Sequence, residues 1–246
     1  MEVIPAIDLL EGKAVRLRQG RYDEVTVYAD DPAALARSWS GLVPRLHVVD
    51  LEGARAGRSM QGDRVREIVR AFGSGVQVGG GVRSLEAAES YLGLGVSRVV
   101  LGTLAIRDPA LVARVAESYP GQVIVAVDAR EGMVATEGWL EQSSRRAIDL
   151  VRELASLPLA AVLYTDIERD GTEVGPNVEE TARLWRETGV PVIASGGVGT
   201  LLHLQTLSRA GVGVVAAIVG RAIHEHRFTI EEAVAAARGD LEHVRG

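Results

Sequence analysis

One heptapeptide of this chain is nearly repeated: Val78-Gly79-Gly80-Gly81-Val82-Arg83-Ser84 returns 116 positions later as Ala194-Ser195-Gly196-Gly197-Val198-Gly199-Thr200. Other markers repeat at almost the same offset. Asp8 and Asp128 close apolar runs 120 apart, Asp50 and Asp166 follow two others 116 apart, and Gly102 and Gly220 stand 118 apart in Leu101-Gly102-Thr103 and Val219-Gly220-Arg221. A chain carrying two copies of one unit must adopt a fold that two such units complete together, which removes most architectures at once.

The local pattern narrows the choice further. Short β-branched runs alternate with amphipathic stretches, the mark of βα units around a parallel sheet. Strands are predicted at Val3–Asp8, Leu46–Asp50, Val76–Val78, Val99–Leu101, Val123–Asp128, Ala161–Thr165, Val192–Ser195 and Val214–Val219. Helices follow at Pro32–Ser40, Gly62–Phe72, Leu85–Leu94, Pro109–Ser118, Ser144–Ala155, Val178–Glu187, Leu201–Ala210 and Thr229–Ala237. Asp31-Pro32 and Asp108-Pro109 each offer an N-cap with proline at the first helical position. Gly95, Gly189 and Gly211 lie just past helix ends, where a left-handed residue is needed. Eight β/α pairs in 246 residues fit a closed (β/α)8 barrel better than a doubly wound open sheet. Periodicity alone does not separate the two, but the repeat favours closure. The expectation is one barrel domain over 1–246, made of half-barrels at approximately 1–120 and 121–246.

With 47% hydrophobic residues the chain can bury a full core, and with no cysteine it has no disulfides, thiol nucleophile or Cys-based zinc site. A net charge of −6 argues against general nucleic-acid binding. No apolar run is long enough to span a membrane, and the start Met1-Glu2-Val3-Ile4-Pro5 lacks the features of a signal peptide. A cytoplasmic location is expected, with neither nucleic acid nor membrane as a partner.

In such a barrel the marked residues gather at the C-terminal ends of the strands. Glycines there let the backbone approach an anion and take positive φ, while the following helix supplies unpaired N–H donors. Gly80, Gly81 and Arg83, with Gly102 and Thr103, form one phosphate cradle on this reading. Gly196, Gly197 and Gly199, with Gly220 and Arg221, form the other. The plain alternative is a pair of tight turns needed by the fold. Two cradles imply a small-molecule ligand phosphorylated at both ends. Asp8 and Asp128, each closing an apolar strand, are either an acid–base pair or caps of the adjacent loops. Capping is the favoured role for Asp50 and Asp166.

The stretch Thr165-Asp166-Ile167-Glu168-Arg169-Asp170-Gly171-Thr172 is unusually polar for a strand-to-helix turn. Thr165 suits the positioning of a carboxylate or substrate hydroxyl, and Asp170, Gly171 and Thr172 suit a loop over the second phosphate. From Leu9 to roughly Tyr28 runs a long loop with Lys13, Arg16, Arg18 and Arg21, read as a basic lid or a plain charged loop. Trp139 either stacks on a planar heterocycle or packs. His47 reads as a core residue, and the histidines do not cluster, so no metal site is expected.

Taken in order, Ala6-Ile7-Asp8-Leu9, Gly12-Lys13-Ala14-Val15-Arg16-Leu17, His47-Val48-Val49-Asp50-Leu51, Gly79-Gly80-Gly81-Val82-Arg83, Val127-Asp128-Ala129-Arg130, Gly138-Trp139, Thr165 to Thr172 and Ser195-Gly196-Gly197-Val198 closely resemble the phosphoribosylformimino-aminoimidazole carboxamide ribotide isomerases of histidine biosynthesis. The resemblance runs to about His226. It implies a half-barrel-repeat (β/α)8 enzyme that performs an Amadori rearrangement, aminoaldose to aminoketose, on a bis-phosphoribosyl aminoimidazole carboxamide, with two carboxyl groups and no cofactor. It further implies Asp128 as the acid that opens the furanose ring and Asp8 as the base at C2′, with Arg16, Arg83 and Trp139 near phosphate or heterocycle. Glu137 departs from the arginine near this position in the dual-substrate isomerases that also serve tryptophan biosynthesis, so dual activity is not expected. The alternatives are the sister cyclase, imidazole glycerol phosphate synthase, and a non-catalytic phosphosugar-binding barrel. The cyclases carry Asp-x-Lys at the first strand end, whereas Leu10 stands in that lysine position here and Arg16 replaces a second lysine. The expected state is a monomer with no obligate protein partner.

Overall fold

The computed structural model describes residues 1–18, 20–136 and 141–240. In chain order the strands are β1 (Glu2–Leu10), β2 (Lys13–Arg18), β3 (Arg21–Ala29), β4 (Leu46–Asp50), β5 (Val76–Gly79), β6 (Arg98–Leu101), β7 (Val123–Arg130), β8 (Met133–Thr136), β9 (Glu141–Arg146), β10 (Ala161–Asp166), β11 (Val192–Ser195) and β12 (Val214–Val219). The helices are α1 (Pro32–Trp39), α2 (Leu51–Ala56), α3 (Gly62–Phe72), α4 (Leu85–Gly93), α5 (Leu104–Arg107), α6 (Pro109–Ser118), α7 (Ala147–Leu154), α8 (Val178–Thr188), α9 (Leu201–Ser208), α10 (Arg221–His224) and α11 (Ile230–Arg238).

Strands β10, β11, β12, β1, β4, β5, β6 and β7 are neighbours in that order, and β7 pairs with β10 to close the ring. The fold is a (β/α)8 barrel. Two compact units divide it: Ala6–Ala126 with Ser156–Ala160, and Met1–Pro5 with Val127–Ala155 and Ala161–Gly246. Strand β1 serves both. Its first residues pair with β12 (Glu2↔Ala216 to Pro5↔Val219) and its later ones with β4 (Ala6↔His47 to Leu9↔Asp50).

The strands are near-continuous apolar runs because both of their faces are covered. Ile4, Ile7, Val48, Val78, Val99, Ile124, Val162 and Ile193 are fully buried. Helices α1 and α6 start where the sequence says they should. Asp31 accepts from Ala33 and Ala34 N–H, and Asp108 from Leu111 N–H, each ahead of a proline. Gly189 ends α8 in the left-handed conformation at φ 71°.

The stretch after the first strand is not an open loop. β1 runs on past Asp8 to Leu10, turns at Glu11-Gly12 (φ 50° and 76°) and pairs antiparallel with β2, which pairs with β3. The same happens after β7: Glu131-Gly132 (φ 51° and 75°) joins it to β8, and β8 pairs with β9. Left-handed φ at both central residues of a two-residue connection makes these type I′ hairpins. Asp8 and Asp128 therefore stand two residues inside their strands rather than at the ends. The second hairpin also takes Ser144, Arg145 and Arg146, so α7 begins only at Ala147. Three short helices, α2, α5 and α10, were not expected from the periodicity.

Candidate active site

Asp8 is held in β1 between Val49 of β4 and Val15 of β2, so its backbone is fixed on both sides. Its side chain is 18% exposed, and Arg16 on β2 brings Nη1 to 3.8 Å from Oδ2. The hairpin that carries Arg16 is fastened by a residue the sequence reading missed. Tyr22 donates its hydroxyl to the Leu51 carbonyl at 2.9 Å, and the Arg55 guanidinium lies over its ring, 4.7 Å from the centroid. Burial pushes the Tyr22 phenol above its ordinary pKa.

The first cradle belongs to the same unit. Gly80 and Gly81 have φ of 100° and 77°. A Cβ on Gly80 would lie 2.1 Å from the Asp50 carbonyl oxygen, and one on Gly81 would lie 2.5 Å from that of Arg58. Glycine is thus required by packing as well as by φ. Ser84 then caps α4 by accepting from Ala87 N–H at 3.1 Å. Arg83 reaches back to donate to the Ala54 carbonyl at 3.0 Å. Gly102 and Thr103 follow β6, with Thr103 entering α5.

The other unit repeats the construction. Gly196 and Gly197 have φ of 88° and 84°, and a Cβ on Gly196 would lie 2.8 Å from the Asp166 carbonyl oxygen. Thr200 caps α9 through His203 N–H. Thr165 is buried in β10 in register with Ser195 of β11. Asp128 is half-buried in β7. In the loop after β10, Asp170 N–H donates to the Asp166 carbonyl at 3.0 Å, and the Thr172 hydroxyl donates to the Arg169 carbonyl at 2.6 Å. Arg221 donates Nη1 to the Gly171 carbonyl at 2.8 Å and Nε to Glu225 at 2.7 Å. Its guanidinium thus anchors the loop. Gly220 precedes α10. Trp139 and Glu137 lie outside the described residues.

Asp50 and Asp166 are the capping residues they were expected to be. Asp50, fully buried, accepts from the N–H groups of Gly53 (2.6 Å), Met60 (2.7 Å) and Gln61 (2.9 Å) and from the Tyr91 hydroxyl (2.9 Å). Asp166 accepts from Glu168 N–H at 3.1 Å and from Asn177 Nδ2 at 2.7 Å. Asn177 is the sole asparagine of the chain, and it also caps α8.

His47 is a core residue. It stands in register with Ala6 and Gln77, and its Nδ1 lies 3.0 Å from Gln77 Nε2. Burial lowers its pKa from 6.5 to about 4. The unfolded chain therefore binds a proton that the folded one does not between those values, so stability rises with pH across that window. Between pH 7 and pH 5 the wild type is expected to lose about 2 kcal/mol through this group. Urea unfolding at the two pH values checks it. A His47→Gln variant with the same pH loss as wild type would contradict it.

The model of the family described as "Histidine biosynthesis protein" matches residues 2–229. A protein of Sorangium cellulosum (strain So ce56) is 59% identical over 240 residues, covering 96% of this chain and 99% of its own. Relatives from Roseiflexus castenholzii (51% identical, 96% and 99% covered) and Hahella chejuensis (48%, 95% and 97%) are similar over the same span. All three are named 1-(5-phosphoribosyl)-5-((5-phosphoribosylamino)methylideneamino)imidazole-4-carboxamide isomerase. With a family match over nearly its whole length and such relatives end to end, the chain belongs to the family of histidine biosynthesis proteins.

Proposed function

We propose that this chain is the aldose–ketose isomerase its relatives are named for, acting on a bis-phosphoribosyl aminoimidazole carboxamide by an Amadori rearrangement. The observation that carries the reading is the repeated construction. Each unit sets an aspartate three residues before the glutamate of a Glu-Gly turn, and each seats the first glycine of a positive-φ pair on the carbonyl of a capping aspartate. A substrate with a phosphate at each end calls for two such sets. What supports a shared substrate is the parallel order of the eight barrel strands, since parallel strands bring their C-terminal ends to one face.

Asp128 protonates the furanose ring oxygen, the C1′–O bond breaks, and the amine lone pair forms an imine. Asp8 removes the C2′ proton, giving the enolaminol, which collapses to the C2′ ketone as C1′ takes up a proton. One carboxyl starts protonated and the other ionised, and no electrons leave the substrate. The Arg16 guanidinium lies 3.8 Å from the Asp8 carboxylate. Thr165 holds a hydroxyl of the opened sugar. Gly80, Gly81, Arg83, Gly102 and Thr103 take one phosphate, and Gly196, Gly197 and Gly220 the other. Asp170, Gly171 and Thr172 cover the latter, fastened by Arg221. The enzyme works as a cytoplasmic monomer.

Incubating the purified chain with the aminoaldose nucleotide in the presence of chelator, and following the product by NMR, tests the reaction. The aminoketose is expected, at a rate unaffected by added ammonia. Ammonia-dependent imidazole formation, or no turnover at all, contradicts the reading.

A further inference from the structure

The two copies of the cradle differ at positions 83 and 199, and the structure shows what each residue meets. In one unit the Arg83 side chain crosses Gly57, where a Cβ would lie 2.8 Å from Nη1. In the other unit the neighbour of Gly199 is Glu173, and a Cβ on Gly199 would lie 2.4 Å from the Glu173 Cβ. Positions 57 and 173 are themselves 116 apart, the offset that relates 83 to 199. Both are left-handed, at φ 71° for Gly57 and 62° for Glu173. The same contact is therefore built twice with its large and small members exchanged and its charge reversed: arginine over glycine in one unit, glutamate over glycine in the other.

Glu173 is an expensive choice for that backbone. A left-handed conformation is unfavourable for any residue but glycine, which occupies the matching position. Its Oε1 is buried without a hydrogen bond, although Arg221 Nε lies 3.4 Å away and Arg227 Nη2 lies 3.7 Å from Oε2. Glu225 contacts the same two arginines, at 2.7 Å and 3.4 Å. Beside the second cradle, then, two guanidinium groups face two carboxylates, whereas Arg83 beside the first donates to a carbonyl.

We propose that the exchanged pair, Arg83 over Gly57 and Glu173 over Gly199, is a specificity determinant that makes the two cradles unequal toward phosphate, so that an asymmetric bis-phosphorylated substrate binds in one direction. This rests on reading the cradles as phosphate sites. Arg83 adds a cation to the first, which is the tighter. Glu173 cancels cationic charge at the second, which is the weaker and the one that releases first.

The test is calorimetric titration of the full chain with inorganic phosphate. Wild type is expected to show a tight and a weak class of sites. Arg83→Ala should weaken the tight class about tenfold, the size of one charge-assisted contact, and leave the weak one alone. Glu173→Gln should tighten the weak class by about the same factor. Glu173→Gly, which suits the left-handed backbone and relieves the buried oxygen, should do so too without loss of stability. Two classes in wild type, with the weak one unchanged or weakened by both Glu173 variants, overturn the inference and leave the phosphate reading standing. A single class of two equal sites also overturns it. No phosphate binding to wild type overturns both.

Discussion

Replacing either Asp8 or Asp128 by asparagine is expected to lower kcat by about 10²–10⁴, the range of a lost general acid or base, while KM changes only a few-fold. Asparagine keeps the shape and the hydrogen-bonding oxygen but cannot take up or give a proton at neutral pH. Both positions are locked in strands that run two residues further and turn back into a hairpin, so the backbone tolerates the change. Steady-state kinetics on the two variants, with melting curves to confirm the fold, checks this. Wild-type turnover in either variant would remove that residue from the chemistry even though the family assignment stood.

The second large effect falls on stability. Asp50→Ala is expected to cost about 3–5 kcal/mol, because the side chain is fully buried and its removal strands three backbone N–H groups and the Tyr91 hydroxyl. For a chain of this size that corresponds to a drop of roughly 10 °C in Tm. Asp166→Ala should cost roughly half as much, since fewer donors depend on it. Denaturant unfolding of both variants settles the ranking. A loss below about 1 kcal/mol at Asp50 would show that water replaces its bonds freely.

The contrast between these aspartates explains what was legible in the sequence. All four recur at the repeat offset, and all four end or nearly end apolar runs. Asp50 is followed within eleven residues by the backbone groups it caps, and Asp166 by Asn177, so a structural role was readable from the turn-rich stretches after them. The glycine pairs were readable because they recur at the repeat offset, and only glycine fits there: Gly80 and Gly196 lie against the carbonyls of Asp50 and Asp166, Gly81 and Gly197 against those of Arg58 and Gly175. What stayed hidden was the side-chain traffic across the loops: Tyr91 reaching Asp50, Tyr22 reaching Leu51, and Glu173 lying on Gly199. Those contacts join residues brought together by the closed sheet, and no local period signals them.

The hairpins are a different case, since their signal was present. Val15 and Leu17 alternate with polar residues in β2, as Val25 and Val27 do in β3, and Glu11-Gly12 sits ahead of the first run. The glutamate at the first turn position hid the type I′ connection, which more often begins with asparagine, aspartate or glycine. The twin turn at Glu131-Gly132 shows that it is a repeated feature of the unit.

The most direct test of the account is a crystal structure of the Asp8→Asn variant grown with the aminoaldose substrate. One substrate molecule is expected, with a phosphate at Gly80-Gly81 and the other at Gly196-Gly197. Its C2′ should lie beside residue 8 and its ring oxygen within about 3 Å of the Asp128 carboxyl, the reach of a proton transfer. A substrate held by a single cradle, or one whose sugar carbons lie away from both aspartates, would contradict it.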